Sequence, residues 1–131
     1  MSVLVRYIEE LGSDTHLDEL NVRDMQMKLP GIKHKWAGRL IRSRIELLDL
    51  FSKKKKSLRI QTRSVIDNSP IKMSEPLAEK QARKHESVIS IDEEIAHHQH
   101  VIEFLEKAEK ILNSMTFDIK NLIEIMKLET L

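Results

Sequence analysis

The chain has 131 residues, 40% hydrophobic and 33% charged, with only three glycines, a balance that fits a single extended helical domain. It contains no cysteine, which excludes a disulfide framework, a thiol nucleophile and a cysteine zinc site, and permits a cytosolic setting. The formal net charge of +1 gives no sign of a polyanion-binding protein until its distribution along the chain is followed.

The first ten residues lack the apolar run and cleavage site of a signal peptide, and no segment approaches the length of a membrane span. Val3, Leu4, Tyr7 and Ile8 are spaced as one face of a short amphipathic helix, which Gly12-Ser13-Asp14 is expected to end. Leu17, Leu20, Val22, Met25, Met27 and Leu29 predict a second, weaker helix over 17–29. Pro30-Gly31 should break it, since proline removes a backbone donor and disfavours helix at the residue before it.

From Ile32 to about Ile66 the chain has no proline and only Gly38. A helix of that length would run roughly 50 Å at 1.5 Å per residue. Trp36, Leu40, Leu47, Phe51, Leu58 and Val65 recur in steps of four and seven and mark one buried stripe. Residues 53–63 carry six cations (Lys53, Lys54, Lys55, Lys56, Arg59 and Arg63) and no acid. Lys56, Arg59 and Arg63 are spaced i, i+3, i+7, so they share one face and repel unless an anion neutralises them. Trp36 has two readings, a base-stacking platform or the start of the apolar stripe, and the stripe is the commoner one.

Residues 67–74 read as a loop. Ser74-Glu75-Pro76 then reads as a helix start, with Ser74 as N-cap and Pro76 in the first turn, for a charged helix over about 75–86. Val88-Ile89-Ser90 suggests a brief extended piece, and Ser90 with Glu93 forms a capping box before the last helix. That helix has a sevenfold pattern. One series is His98, Leu105, Leu112, Ile119 and Met126, and the other is Val101, Ala108, Met115 and Leu122. The flanking positions are also mostly apolar, so the face is wider than a two-stranded coil requires and must touch two or more neighbours. Self-association is one way to cover it, and Leu105, Leu112, Met115, Ile119, Leu122 and Met126 are the candidate contacts. A ring is a natural closed solution, and a helix buried inside a monomeric bundle is the alternative. The organisation expected is a helical nucleic-acid-binding part over 1–90 and an oligomerisation part over 91–131.

Charge is sharply segregated along these elements. Residues 1–31 carry three basic and six acidic groups, net −3. Residues 32–66 carry eleven basic groups against Glu46 and Asp49, net +9. Residues 74–131 carry seven basic and twelve acidic groups, net −5. A solvated face is the usual meaning of a charge run, but this segregation favours a polyanionic partner. Candidate contacts are Lys33, Lys35, Arg39, Arg42, Lys53, Lys54, Lys55, Lys56, Arg59 and Arg63. A membrane surface is disfavoured, because only Leu58 and Ile60 lie within the basic stretch. No helix-turn-helix turn or zinc framework is present for base reading, so binding would be mainly electrostatic, to duplex or single strand.

Catalysis is not expected. No phosphate loop, dinucleotide fingerprint or nucleophile elbow occurs. His97, His98 and His100 with Glu93 and Glu94 suggest metal ligands, and Glu94-x-x-His97 matches one half of a di-iron pair. The second pair and the facing glutamates are missing, and His98 lies on the apolar stripe, so neither metal nor cofactor is expected.

Lys35-Trp36, the apolar-basic helix after it, and Lys54-Lys55 leading to Leu58-Arg59 resemble the UvsY recombination mediator family of T-even-type bacteriophages. Phe117-Asp118-Ile119-Lys120-Asn121 followed by Leu122-Ile123-Glu124 resembles that family's end region. The resemblance spans roughly residues 17–130 and leaves 1–12 without a counterpart. It implies an all-α protein in the host bacterium's cytoplasm that binds single-stranded DNA as a ring-like homo-oligomer of about six or seven subunits. It also implies the partners, a RecA-like phage recombinase and the single-strand binding protein whose coated strands the recombinase must be loaded onto. In that family a basic Leu-Lys-x-Arg element is implicated in DNA binding. Arg59 matches its first cation, whereas Gln61 stands at the second. The other reading of the residues is a non-catalytic helical adaptor or scaffold that binds a partner protein through its last helix.

Overall fold

A computed structural model describes residues 2–130. The fold is all-α, with four helices: α1 (Val3–Asp14), α2 (Val22–Asn68), α3 (Glu75–Ala82) and α4 (Glu86–Glu129). No strand occurs among the described residues.

Ser2 caps α1, its hydroxyl accepting a bond from the Val5 amide at 3.3 Å. The helix runs through Gly12 and ends at Asp14, within the stretch expected to end it, with Thr15 as its C-cap. There the backbone N–H donates to the Leu11 carbonyl at 2.9 Å and the hydroxyl donates to the same carbonyl at 2.7 Å. Residues 16–21, partly expected in a helix, form a turn instead. Asp18 Oδ1 accepts from the amides of Leu20 and Asn21, and Asn21 Oδ1 accepts from the Asp18 amide, all at 2.8 Å. This is the local side-chain competition for backbone donors that makes Asp and Asn turn formers. It leaves Leu20 97% exposed. The hydrogen bond from the Asn21 amide, then that from Leu20, lowers the Asp18 carboxyl below its usual value.

The break expected at Pro30-Gly31 does not occur. α2 is continuous for 47 residues with Pro30 inside it. Proline there removes the bond to the Gln26 carbonyl and costs about 3 kcal/mol. Against that, Val22, Met25 and Leu29 before the proline and Trp36 and Leu40 after it are all buried. At 100° per residue they fall on one narrow stripe, so the register is unbroken. Three buried aliphatic side chains at about 1.5–3 kcal/mol each outweigh the lost bond.

α3 starts where Ser74 and Pro76 indicate, although the Ser74 side chain makes no cap bond. It ends at Ala82, short of the expected 86, in a turn closed by Lys84 N–H to the Gln81 carbonyl and His85 N–H to the Ala82 carbonyl. Val88-Ile89-Ser90 is helical rather than extended, and Ser90 is interior rather than a cap. The reason is visible in the spacing: Val88, Ile91 and Ile95 are buried at i, i+3, i+7, so the helical stripe begins two residues before Ser90. His85 takes the cap's place, its Nδ1 accepting from the Ser87 amide at 3.1 Å.

The chain divides into two compact units, and α2 and α4 contribute to both. Unit 1 comprises Met1–Arg42 and His100–Leu131. Its core is large and aliphatic: Leu11, Val22, Met25, Leu29, Leu40, Val101, Ile102, Leu105, Leu112, Met115 and Ile119 are buried, together with Trp36, which is 2% exposed. Trp36 meets Tyr7 and Phe104 edge-on at 5.5 and 6.3 Å. Its indole N–H donates to Asp14 at 2.8 Å. Of its two readings, the core one holds. Unit 2 is Ser43–Gln99. Its buried positions are smaller: Ala78, Ala82, Val88, Ile91 and Ile95, with Ser43 and Thr62.

Candidate nucleic-acid interface

The candidate cations divide by what each already touches. In unit 1, Lys33 donates to Thr116 Oγ1 at 2.9 Å. Lys35 pairs with Asp14 at 2.6 Å and lies 3.6 Å from Glu10. Arg39 forms a bidentate pair with Glu10, and its guanidinium covers Tyr7 at 4.6 Å and Trp36 at 4.7 Å. The Arg39 hydrogen bond holds the Glu10 carboxyl below its usual range, and the same bond raises Arg39. Lys35 and Arg39 therefore hold α1 to α2. Arg42 is exposed and has no acidic partner among the described residues.

In unit 2, Lys54 pairs with Asp92 at 2.7 Å. Lys53, Lys55, Lys56, Arg59 and Arg63 are all exposed, and no carboxylate lies within 4 Å of any of them among the described residues. The helix sets Lys55, Lys56, Arg59 and Arg63 along one outward side. The spacings Lys53–Lys56, Lys55–Arg59, Lys56–Arg59 and Arg59–Arg63 are each i+3 or i+4. Like charges so placed cost about 0.2–0.5 kcal/mol per pair, or roughly 1–2 kcal/mol for the four. An anion laid along the row removes that cost.

The row borders a groove of about 390 Å³ between α2 and α3. Lys55, Leu58, Arg59, Thr62, Arg63 and Ile66 face Glu75 and Glu79 across it. The α3 acids were not singled out by the sequence, because nothing in a single chain tells which basic face a short acidic helix will adjoin. Glu10 and Asp14 were readable in principle, since Tyr7, Glu10 and Asp14 recur at i, i+3, i+7 on one face of α1.

The histidine cluster disperses. His98 Nε2 meets Glu46 Oε2 at 2.8 Å, and His100 lies 3.9 Å from Glu103. Among the described residues no three His, Asp or Glu side chains are arranged to hold a metal ion. None of the helices is long and apolar enough to cross a membrane.

Of the candidate self-association residues, Leu105, Leu112, Met115 and Ile119 are buried in the chain's own unit 1 core, and Leu122 and Met126 are half-buried. Ile111, Phe117, Ile125 and Leu128 are the exposed apolar side chains on this part of α4. A groove of about 690 Å³ opens beside it, with Leu29, Pro30, Ile119 and Ile123 as its apolar lining.

A family profile described as "recombination, repair and ssDNA binding protein UvsY" matches residues 10–130. The chain belongs to the UvsY family. The UvsY fold is also found by structural comparison, in crystal structures of the bacteriophage T4 recombination mediator protein UvsY. The lattice type IV structure aligns at TM-score 0.84 and 17% identity, covering 98% of this chain and 99% of that one. Lattice type II aligns at TM-score 0.80 and 18% identity, covering 99% of each. Lattice type I aligns at TM-score 0.76 and 18% identity, covering 92% of this chain and 96% of that one. A search of curated proteins by sequence finds no match. As a UvsY-family member the chain is a recombination and repair protein, the family indicated by Lys35-Trp36, Leu58-Arg59 and the 117–124 segment.

Proposed function

We propose that this protein binds single-stranded DNA through Lys55, Lys56, Arg59 and Arg63 of α2. It acts as a non-catalytic mediator in the host cytoplasm, helping to load a RecA-like recombinase onto strands coated by single-strand binding protein. The observation that carries this is the exposed row of closely spaced cations without carboxylate partners, whereas Lys35, Arg39 and Lys54 are engaged by the chain's own acids. Family membership supplies the class of ligand. Residues 1–90 contribute the strand-binding row and residues 91–131 the means of assembly. Copies associate through the C-terminal part of α4, where Leu122 and Met126 are half-buried and Phe117, Ile125 and Leu128 exposed. A ring multiplies the row, and linked sites gain about two to four orders of magnitude in avidity with no new contact.

Affinity for a single-stranded oligonucleotide should fall as salt rises, with log–log slope about −0.7 per phosphate neutralised, hence about −3 for one copy's four cations. An affinity indifferent to salt refutes the reading. Native mass should exceed that of one chain and fall in a Phe117→Asp, Leu128→Asp variant.

A further inference from the structure

Resting on that reading of α2 as the strand contact, we infer that the α2–α3 groove seats individual nucleobases, and that Glu75 and Glu79 keep the sugar–phosphate backbone on the α2 rim. The two rims carry opposite charge. Lys55, Arg59 and Arg63 stand on one, and Glu75 and Glu79 on the other. They do not neutralise each other: no α2 cation lies within 4 Å of either acid among the described residues, and Glu79 pairs instead with Arg83 of its own turn at 2.7 Å. Small side chains seat α3, since Ala78 and Ala82 are buried without remainder. Between the rims the floor is apolar: Leu58, Ile66 and the methyl of Thr62, whose hydroxyl donates to the Leu58 carbonyl at 2.7 Å.

A nucleotide matches this cross-section. Its phosphate is attracted to one rim and repelled by the other. Its base offers a flat apolar face to the floor. The exocyclic amines of cytosine, adenine and guanine are donors that carboxylates accept, and Glu and Asp accept from cytosine N4 in base recognition generally. The acidic rim thus selects against phosphate and for the amine edge. The row binds any polyanion, whereas the groove requires bases.

The test compares two probes on the full-length protein at one salt concentration: an oligo-dC strand, and a strand of equal length in which all sugars are abasic. Seated bases should make oligo-dC bind about fivefold more tightly or better. A Glu75→Gln, Glu79→Gln variant should bind the abasic strand more strongly than the wild type does and narrow the ratio. An Arg59→Ala variant should weaken both probes alike and leave the ratio. Equal wild-type affinity for the two strands overturns the base-seating inference while leaving the strand contact standing. Failure of the wild type to bind either strand overturns both.

Discussion

Arg39 and Arg59 lie twenty residues apart on the same helix in opposite surroundings, one engaged and one without a carboxylate partner, which one pair of alanine variants separates. Arg39 covers Tyr7 and Trp36 and pairs with Glu10. Each cation–π contact contributes about 0.5–1 kcal/mol at a partly exposed site. The ion pair, with both side chains partly solvated, adds about 0.2–1 kcal/mol. Arg39→Ala should therefore destabilise by about 1–3 kcal/mol, toward the lower end because Lys35 still lies 3.6 Å from Glu10. In urea that shifts the unfolding midpoint down by about 1 M. Arg59 has no partner and takes part in three like-charge pairs, with Lys55, Lys56 and Arg63. Arg59→Ala should leave stability unchanged or raise it by up to about 1 kcal/mol at low salt, since alanine is also the better helix former. Single-strand affinity should respond the other way. On the proposed strand contact, Arg59→Ala should remove a phosphate contact, and Arg39→Ala, measured where the protein is fully folded, should remove none. Urea unfolding by circular dichroism and anisotropy of a labelled oligonucleotide give both readings on the same samples. An Arg39→Ala protein of full stability and impaired binding would refute the division, as would an Arg59→Ala protein that unfolds early.

The Glu10–Arg39 pair also sets an acid response. Because the Glu10 pKa is depressed from its ordinary 4.5, its contribution is complete above that value and is lost as pH falls through the folded-state pKa. Glu10→Gln should be less stable than wild type at pH 7, and the gap should narrow in unfolding curves as pH is lowered below 4.5 and through the depressed folded-state pKa. Pro30→Ala restores a donor to the Gln26 carbonyl inside an unbroken helix and should stabilise by about 1–3 kcal/mol in the same urea assay. Trp36 is enclosed by Tyr7, Phe104 and Arg39, so its emission should be that of a buried indole and should not be quenched when oligonucleotide binds.

Much of this architecture was legible in the periodicity. The α3 start follows from Ser74 and Pro76, and the sevenfold pattern of α4 from apolar spacing; of the expected α2 stripe only Trp36 and Leu40 are buried, Leu47, Leu58 and Val65 are half-buried and Phe51 is exposed, because unit 2 covers that side of α2 thinly. The departures share a cause: register outweighs local signals. Pro30-Gly31 and Val88-Ile89-Ser90 are breakers or strand formers by propensity, yet each lies within a stripe whose buried members continue in phase on both sides. Tertiary burial over several turns outweighs one lost hydrogen bond or a few tenths of a kcal/mol of propensity. At the interface, sequence identified the pool of cations but not which were engaged. Lys35, Arg39 and Lys54 resemble Lys55 and Arg59 in the chain. They differ only in whether a distant carboxylate, Asp14, Glu10 or Asp92, is folded against them.

The distribution of core and charge between the units has a further consequence. Unit 1 sets Lys35 and Arg39 against acids and builds on Trp36 and long aliphatic side chains. Unit 2 leaves its densest charge unpaired over a core of Ala78, Ala82, Val88, Ile91 and Ile95 with a buried Ser43 and Thr62. Its exposed row subtracts roughly 1–2 kcal/mol from an already lean core. Anything that neutralises the row restores that amount, and a strand bound only by the folded form adds RT ln(1 + [L]/Kd), about 2.7 kcal/mol at a hundredfold excess over Kd. On the proposed strand contact, binding and the order of unit 2 are thermodynamically linked. Amide hydrogen exchange should show Ser43–Gln99 opening more readily than unit 1 in the free protein, and slowing more when oligonucleotide is added. Equal slowing in both units would mean that the charge on α2 does not govern the stability of the unit that carries it.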